Sequence, residues 1–517
     1  MADSQLKPRQ TPWTRIAWAG VVIGIIARFV RLGAKSLWFD EGYTAWMVTH
    51  PVREIIRLVR ADTAPPLYYI LLRGWTEVFG HSEAGLRSMS AVCSALTILL
   101  VFAIGRRMLG SPAAVAGAIW LLVLGFHQQY FAQEARAYAL MALLFVAAVY
   151  CVQRHLMVMH RRWLIPLIPI VAASLYTHNM MAFYIAALGL FWLLLPSSHS
   201  IKRRVMDGIV VAVAAVFLFF PWAIYSLPSQ LRMVNASFWI ERPTFANLGL
   251  ILNWIAGVPR PDELNSVIYS LHSPHALGSA PMWFGPILIL VVIFSIRRRD
   301  DAAMLVLLLF VPAAVAIYSL LRTPILMDKI FLPSATLMPL LFMMPLVRLL
   351  SPPPVLRERV RVRAAILPCV WIAILLLIAG AAFTQYWITP KNEDWRHAAA
   401  LVQELPPARR LIVFVANDGQ LPFDYYYRYR PEESATGAPA GFLERDPPRT
   451  MLRVQSDDDL QNLRSRIETE HYREVVLVQS HEVWGDPDGR VLKMLREIFP
   501  AEHRRDVYYV SVFQFDR

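Results

Sequence analysis

Two adjacent carboxylates, Asp40 and Glu41, follow the first apolar run of the chain almost at once. Aromatic residues flank them, since Trp38 and Phe39 precede the pair and Tyr43 follows it. Charges beside a membrane are costly to desolvate, so their presence there favours a functional role. A carboxylate within hydrogen-bond reach of an acceptor hydroxyl or amine can serve as a general base. An ordinary solvated pair in a loop is the alternative interpretation.

Three further polar positions lie where apolar runs end. Glu134 and Arg136 stand in the segment Tyr130–Leu140, and they could simply pair with one another. His178 lies at a bend between two apolar runs, where a lone histidine is more often a packing or capping residue. Arg322, Asp328 and Lys329 flank a late apolar run. Cations at the end of a membrane span usually extend to the water interface, but they also suit phosphate binding.

The elements that must position these residues are membrane-spanning helices. Of the 517 residues, 56% are hydrophobic and only 17% are charged, with a mean hydropathy of +0.42. The apolar residues come in runs of about the length that crosses a bilayer as a helix. We predict about eleven spans: Ile16–Val30, Leu86–Ile104, Ala113–Tyr130, Ala135–Val152, Leu164–Tyr176, Met180–Leu195, Val205–Leu227, Met282–Ile296, Ala302–Leu321, Ile330–Val347 and Ala365–Tyr386.

The positive charges predict the orientation. Net charge is +13, which in a soluble protein would suggest nucleic acid as a partner, but most Lys and Arg cluster in short connections between apolar runs. We therefore expect no nucleic-acid partner. Those connections fall on the side of the basic N-terminus, which predicts a multi-pass protein of the inner (plasma) membrane with a cytoplasmic N-terminus and an extracytoplasmic C-terminal domain. Asp40, Glu134, His178 and Lys329 are then all expected at the outer face.

The sequence predicts a mostly α-helical protein in two parts. Residues 1–388 form the transmembrane module, in which 33–85 is the first extracytoplasmic loop. Pro51–Arg60 and Pro65–Phe79 of that loop read as helices lying at the membrane surface. Residues 389–517 are more polar, and they predict a soluble α/β domain. Its expected strands are Leu411–Val415, Glu474–Val478 and Val507–Phe513, and its expected helices are Glu393–Leu405, Asp457–Glu470 and Arg490–Phe499.

Three motifs together resemble a known group, the polytopic glycosyltransferases of the GT-C class. The likeness is to bacterial relatives of protein O-mannosyltransferases and lipid A aminoarabinose transferases. It covers roughly residues 15 to 345 and extends weakly to Glu393-Asp394-Trp395-Arg396. The motifs are Asp40-Glu41 after the first span, Ala64-Pro65-Pro66-Leu67-Tyr68-Tyr69 leading to Phe79-Gly80 and Leu86-Arg87, and Gln133-Glu134-Ala135-Arg136-Ala137-Tyr138-Ala139-Leu140.

The resemblance implies a glycosyltransferase that takes its sugar from a polyprenyl-phosphate donor on the extracytoplasmic side. Asp40 matches the family's first-loop acid, and Glu134 lies near a second acid, so Asp40, Glu41 and Glu134 are the expected catalytic residues. Many relatives carry His or Lys where this chain has Ala64, and Arg-Tyr where it has Asp328-Lys329. Lys329 is therefore our first choice for the donor phosphate, before Arg322 and Arg136. The expected substrate-binding residues are Tyr68, Tyr69, Gln133, Arg136, Tyr138, His178, Arg322 and Lys329.

Several alternatives stay open at this stage. The acceptor could be lipid A or another part of lipopolysaccharide, a cell-wall glycan, another lipid or a protein. We expect no cofactor, although paired carboxylates could hold a divalent metal ion. A membrane transporter or lipid flippase is the main alternative function, for which Arg28 is the one clear charge deep in a predicted span. A non-catalytic membrane assembly protein is the third.

Overall fold

The computed structural model describes residues 11–60, 62, 64–158, 160–236, 240, 242–258, 284–296, 298–345, 347, 363–388, 393–415, 419–428, 430, 433–435, 457–480 and 486–517. The chain divides into two compact units. Unit 1 comprises Met1–Leu32, Val59–Leu71 and Arg87–Thr389, and unit 2 comprises Gly33–Leu58, Leu72–Leu86 and Pro390–Arg517. Two pieces of the first loop thus belong to the same unit as the C-terminal region. The predicted domain limits of 1–388 and 389–517 stay a prediction.

Helices account for most of the first 388 residues. Single turns of 3-10 helix cover Arg161–Trp163 and Lys329–Phe331. The α-helices of this region are α1 (Pro12–Phe29), α2 (Phe39–Met47), α3 (Val52–Val59), α4 (Leu67–Phe79), α5 (Glu83–Met108), α6 (Pro112–Leu124), α7 (Phe126–Ala132), α8 (Tyr138–Val158), α9 (Leu164–Thr177), α10 (Met181–Leu194), α11 (Ile201–Ala236), α12 (Phe245–Ile255), α13 (Phe284–Ser295), α14 (Arg299–Leu321), α15 (Leu332–Phe342) and α16 (Arg363–Ile388).

Each predicted span coincides with helical residues, but the number of membrane crossings stays a prediction. Within the described residues, four helices are long and apolar enough to cross a membrane alone: α5, α8, residues Ile201–Ser226 of α11, and α14. The bent pair α6 and α7 would make a fifth. The α-helix α12 was not predicted. It begins at Thr244, whose side chain accepts a hydrogen bond from the Asn247 N–H in a capping box.

Close helix packing in unit 1 depends on small residues of α1. Gly20 and Gly24 face α6, and a Cβ atom on Gly24 would lie 2.4 Å from the Val123 side chain. Small residues four positions apart allow the backbones of two membrane helices to approach closely. Helix α15 is buried along its whole length. It packs against α6, α8 and α14, so it forms the centre of unit 1.

A five-stranded sheet forms the core of the C-terminal part of unit 2. The strand order is β2-β1-β3-β5-β4, where β1 (Arg410–Val415), β2 (Glu433–Ala435) and β3 (Glu474–Gln479) are parallel, and β4 (Ala501–Val507) and β5 (Val510–Asp516) are antiparallel to their neighbours. Both faces are apolar and covered by helices. These are α17 (Trp395–Gln403) and α18 (Gln420–Tyr426) on one side, and α19 (Asp457–Thr469) and α20 (Arg490–Ile498) on the other.

One strand prediction was wrong. The predicted strand Val507–Phe513 straddles a hairpin, because Val507 ends β4 and pairs with Val510 at the start of β5. Tyr509 adopts a φ of 56° at this tight turn, which lies in the left-handed region that Gly or Asn usually occupies. No residue typical of a tight turn marks this position in the sequence. β4 is polar and largely exposed at the edge of the sheet, so it has no apolar pattern to mark it as a strand.

Candidate functional site

The predicted acidic pair lies in the first turn of α2, in unit 2. The first turn of a helix has unpaired N–H groups and a partial positive charge, both of which stabilise carboxylates. Successive residues of a helix point in different directions, so Asp40 and Glu41 differ in their exposure to solvent. Glu41 is fully buried, whereas Asp40 is only half-buried. Asp40 is therefore the more accessible of the two carboxylates.

In unit 1, three connections bring distant predicted residues together. Glu134 and Arg136 lie between α7 and α8, His178 lies between α9 and α10, and Asp328 and Lys329 follow α14. Tyr138 links them: the Lys329 Nζ atom is 5.5 Å from the centre of the Tyr138 ring, and that ring is 6.1 Å from the His178 ring. We call Glu134, Arg136, Tyr138, His178, Asp328 and Lys329 the charged cluster.

Burial sets the protonation of this cluster. Glu134, Asp328 and Lys329 are all buried. Burial raises the pKa of Asp328 to about 7 although the N–H and charge of Lys329 oppose the rise, and the charge of Glu134 raises it further. Burial and the positive charges of Arg136 and Lys329 lower the pKa of His178 to about 3. At neutral pH the positive charges of Arg136 and Lys329 therefore act on a neutral His178, and Asp328 titrates close to this pH.

The predicted tyrosines of α4 contact Arg136. Its guanidinium donates a hydrogen bond to the Tyr69 hydroxyl at 3.2 Å. The Tyr68 hydroxyl lies 3.4 Å from the Ser90 hydroxyl, which donates to the backbone carbonyl of Arg136 at 3.5 Å. Both tyrosines are buried. They therefore support the backbone and side chain of Arg136, and their predicted role in substrate binding stays a prediction.

Arg28 satisfies the backbone at a break between helices. The axes of α6 and α7 differ by 55° on either side of Gly125, so the last carbonyls of α6 have no partner inside the helix. The fully buried guanidinium of Arg28 donates to two of them, Leu122 at 3.2 Å and Val123 at 3.3 Å, and also to the side chain of Gln129. The charge is thus used to hold the broken helix against α1.

Gln133 belongs to the same network. Its amide nitrogen donates to the carbonyls of Arg28 at 3.1 Å and Val30 at 2.7 Å, and its amide oxygen accepts a hydrogen bond of 2.6 Å from Tyr386. Sequence reasoning assigned Gln133 to substrate binding and did not single out Gln129 or Tyr386. The two glutamines Gln128 and Gln129 inside an apolar run were a signal for such a network, since polar side chains in a membrane segment need partners.

Arg322 and Lys329 differ in their exposure to solvent. Arg322 ends α14 as an exposed residue, whereas Lys329 is buried. Of the predicted phosphate-binding candidates, Lys329 and Arg136 share the surroundings of His178, because both charges act on that ring. As for metals, no group of three or more His, Cys, Asp or Glu residues in the described part of the chain is arranged to hold an ion.

Comparison with known proteins places this geometry in a class. Residues 63–225 match the family model described as dolichyl-phosphate-mannose-protein mannosyltransferase. That segment contains Tyr68, Tyr69, Glu134, Arg136, Tyr138 and His178. The match covers less than half of the chain, and no curated protein matches the chain.

Solved structures extend the likeness over nearly the whole length. ArnT from Cupriavidus metallidurans in the apo state aligns with 96% of this chain and 97% of its own, at a TM-score of 0.54 and 14% identity. The chain has the GT-C fold. A second GT-C structure, the oligosaccharyltransferase of Archaeoglobus fulgidus tethered with an acceptor peptide, aligns over 93% of this chain and 72% of its own, at a TM-score of 0.50 and 12% identity.

These findings confirm the predicted resemblance to the GT-C class, and the family match on residues 63–225 confirms the predicted enzyme class, a glycosyltransferase. They also confirm a mostly helical membrane protein with a small C-terminal sheet.

Proposed function

We propose that this GT-C glycosyltransferase moves a sugar from a polyprenyl-phosphate donor to an acceptor on the extracytoplasmic side of the inner membrane. The observation that carries the proposal is the charged cluster of unit 1, where buried Lys329 and half-buried Arg136 lie around a neutral His178. Cations fixed in a water-poor site bind a lipid phosphate strongly. The description of the matched family also names a polyprenyl-phosphate sugar, dolichyl-phosphate-mannose.

The cations would act on the leaving group. Transfer breaks the bond between the sugar's anomeric carbon and the phosphate oxygen, and the electron pair of that bond stays with the phosphate. Lys329 and Arg136 neutralise the negative charge that develops there, which is the kind of stabilisation that lowers a barrier most. This role requires no metal ion. A divalent ion held by carboxylates is the alternative for the same step.

A small, mostly apolar groove in unit 1 is the proposed place for part of the prenyl chain of the donor. It is lined by α6, α7, α12, α13, α15 and α16. Aromatic contacts run from the groove to the charged cluster: the ring centres of His127 and Trp254 are 4.1 Å apart, those of Trp254 and Phe131 are 6.0 Å apart, and those of Phe131 and Tyr138 are 5.2 Å apart. A lipid tail in the groove would therefore have its phosphate end directed towards Tyr138 and Lys329.

Asp40 is proposed as the general base. It accepts the proton from the acceptor hydroxyl or amine while the acceptor atom forms its bond to the anomeric carbon, so that the products are glycosylated acceptor and polyprenyl phosphate. Its position in the first turn of α2 favours the ionised form that a base requires. Glu41 is buried in the same turn, and the charge of Glu134 raises the pKa of Asp328. The acceptor is lipid A or another lipopolysaccharide part, a cell-wall glycan, a lipid or a protein.

The surroundings of Arg28 do not support the alternative function of a transporter or flippase. Arg28 was the deep charge that a transport path would use. Its donors instead bond to Ser94, Gln129 and the carbonyls of Leu122 and Val123. A guanidinium with these hydrogen bonds stabilises the break between α6 and α7. Its burial is therefore explained without a path for a transported ion.

The test is transfer by the purified full-length protein supplied with polyprenyl-phosphate sugars and each class of acceptor. Wild type should consume donor and release polyprenyl phosphate, and Asp40→Asn should lower kcat by at least about 100-fold while the protein remains folded. Glu54→Gln is the matched control, since Glu54 is a carboxylate of the same loop that pairs with Arg57 on α3. Full activity in Asp40→Asn would remove Asp40 as the base. Movement of the donor lipid across vesicles without transfer would favour the flippase.

A further inference from the structure

The segment that leads into α2 is held by side chains from the C-terminal part of unit 2. Arg396, in the second position of α17, donates hydrogen bonds to three consecutive backbone carbonyls: Gly33 at 3.0 Å, Ala34 at 3.3 Å and Lys35 at 3.4 Å. Its own N–H donates to the Ser36 hydroxyl at 3.1 Å. One arginine thus fixes the chain from four to seven residues before Asp40.

Two further side chains complete this attachment. Glu83 accepts a hydrogen bond from the Arg396 guanidinium at 2.7 Å and another from the Tyr426 hydroxyl at 3.1 Å. The same hydroxyl accepts a hydrogen bond of 2.8 Å from the backbone N–H of Leu37, a residue that is fully buried. Tyr426 therefore bridges Glu83 and the turn that precedes α2. We call Arg396, Glu83 and Tyr426 the loop clamp.

Helix α18, which carries Tyr426, also lies directly against α2. A Cβ atom added to Gly42 would lie 2.7 Å from backbone and side-chain atoms of Pro422, so only glycine permits this approach. Gly42 is two residues after Asp40 and belongs to the same turn of helix. The backbone is therefore fixed both before and after Asp40. The loop clamp holds residues 33–37, and Gly42 packs against Pro422.

We propose that the loop clamp positions the carboxylate of Asp40 for proton transfer. The C-terminal domain, which supplies Arg396 and Tyr426, thereby contributes to the rate of the transferase. The proposal rests on the function proposed for Asp40. Arg396, Glu83 and Tyr426 are positioning residues, because their contacts are to the backbone before α2 and not to the carboxylate itself. A general base must lie within hydrogen-bond reach of the proton that it accepts, and a displacement of about 1 Å can cost about 100-fold in rate.

The charges explain why a neutral loop would not serve equally well. Three consecutive backbone carbonyls that bond to one side chain require several donors, and an arginine supplies up to five in a fixed fork. The carboxylate of Glu83 keeps that fork in one orientation, and such charge-assisted bonds are stronger than neutral ones. Loss of Arg396 removes the hydrogen bonds to residues 33–36, and loss of the Tyr426 hydroxyl removes the one to Leu37; this segment leads directly into the turn that carries Asp40.

The experiment measures kcat and donor KM of the full-length protein for Tyr426→Phe and Arg396→Ala. Tyr426→Phe keeps the ring and removes two hydrogen bonds, and it should lower kcat about tenfold; Arg396→Ala should lower it about 100-fold. Donor KM should stay within about twofold of wild type in both. The matched control is Arg496→Ala, which removes an arginine–glutamate pair of the same domain, to Glu502, on α20 and β4.

A double-mutant cycle separates positioning from general loss of stability. In an Asp40→Asn background, neither Tyr426→Phe nor Arg396→Ala should lower the residual rate further, because a positioning residue has nothing left to position. Unchanged kcat in Tyr426→Phe and Arg396→Ala, or losses that add fully to that of Asp40→Asn, would overturn the inference. If Arg396→Ala fails to fold, Tyr426→Phe decides. Retained activity in Asp40→Asn alone would instead overturn the proposed base.

Discussion

The acidic helix of unit 2 and the charged cluster of unit 1 reach their geometry by different routes. Asp40 and Glu41 are neighbours in one short motif, and a single helix turn determines their orientation. Arg136, His178 and Lys329 come from three separate connections and meet only because α8, α9, α14 and α15 pack together. A motif whose residues are neighbours in the chain can therefore be recognised in the sequence. A phosphate site assembled from the ends of several helices can be recognised only in the tertiary structure.

The comparison also assigns a different task to each region. We propose that the acidic helix activates the acceptor and that the charged cluster neutralises the donor phosphate. If that division is correct, substitutions in α2 should change the rate of transfer with little change in donor affinity. Substitutions in the charged cluster should change both.

The largest effect is expected at Asp40, and it should not be shared by its neighbour. Asp40→Asn should lower kcat by about 100-fold to 10,000-fold, because the amide cannot accept the proton. Glu41→Gln should retain at least about a tenth of wild-type kcat, because Glu41 is buried and keeps its shape as an amide. Steady-state transfer assays on both variants measure this. Equal losses would mean that the two carboxylates act as one unit.

The second effect is expected at Lys329. Lys329→Met should lower kcat/KM by about 100-fold to 1000-fold, corresponding to about 2.7–4 kcal/mol of lost stabilisation of the leaving phosphate. Arg322→Met should cost less, because Arg322 is exposed at the end of α14. Release of polyprenyl phosphate under matched donor concentrations measures both. A larger loss in Arg322→Met would move the phosphate site away from the charged cluster.

The third effect is a pH dependence of donor binding. Asp328 has a pKa raised to about 7, so it is mainly protonated below that pH and adds a negative charge beside Lys329 above it. A phosphodiester keeps one negative charge throughout this range. Donor KM should therefore rise by up to about tenfold between pH 6 and pH 8, which corresponds to about 1.4 kcal/mol. Asp328→Asn should remove the rise, and a rise that persists would place the titrating group elsewhere.

The same ionisation has a consequence for stability. The raised pKa means that the folded protein holds a proton that the unfolded chain releases above about pH 4. The contribution of Asp328 to stability therefore falls as the pH rises from about 4 to about 7, and it changes little beyond. The lowered pKa of His178 acts in the opposite pH direction: below about pH 6.5 the unfolded chain binds a proton that the folded protein does not, so the contribution of His178 to stability falls as the pH drops towards about 3.

The smallest effect on the reaction is expected at Arg28. Arg28→Met leaves the carbonyls of Leu122 and Val123 and the side chain of Gln129 without their donor, at a cost of about 1–3 kcal/mol for each group left unsatisfied. The melting temperature in detergent should fall clearly, while donor KM per folded molecule should change by less than about threefold. A selective loss of lipid movement with normal stability would instead revive the transport function.

Much of the fold could be predicted because apolar runs and polar breaks follow directly from chain composition. Ser111 and Pro112 begin α6 as a helix start should, and α3 shows the predicted amphipathic pattern, with Ile55 and Val59 buried and Arg57 exposed. The bend at Gly125 was not predicted, because the run Ala113–Tyr130 is apolar on both sides of it. The hairpin at Tyr508–Tyr509 was missed because two tyrosines carry no turn signal.

The membrane-embedded class, the candidate acid Asp40 and the charged residues at the ends of apolar runs could all be predicted from the sequence, because each depends only on residue type and short-range spacing. Which cations share one environment became clear only from the packing of the helices. The tertiary structure also decided that Arg28 stabilises a broken helix, and that Gly33–Ser36 is held by Arg396, far away in the sequence. Hydrogen bonds and charge effects act over a few ångströms in space, so they depend on packing that no local pattern records.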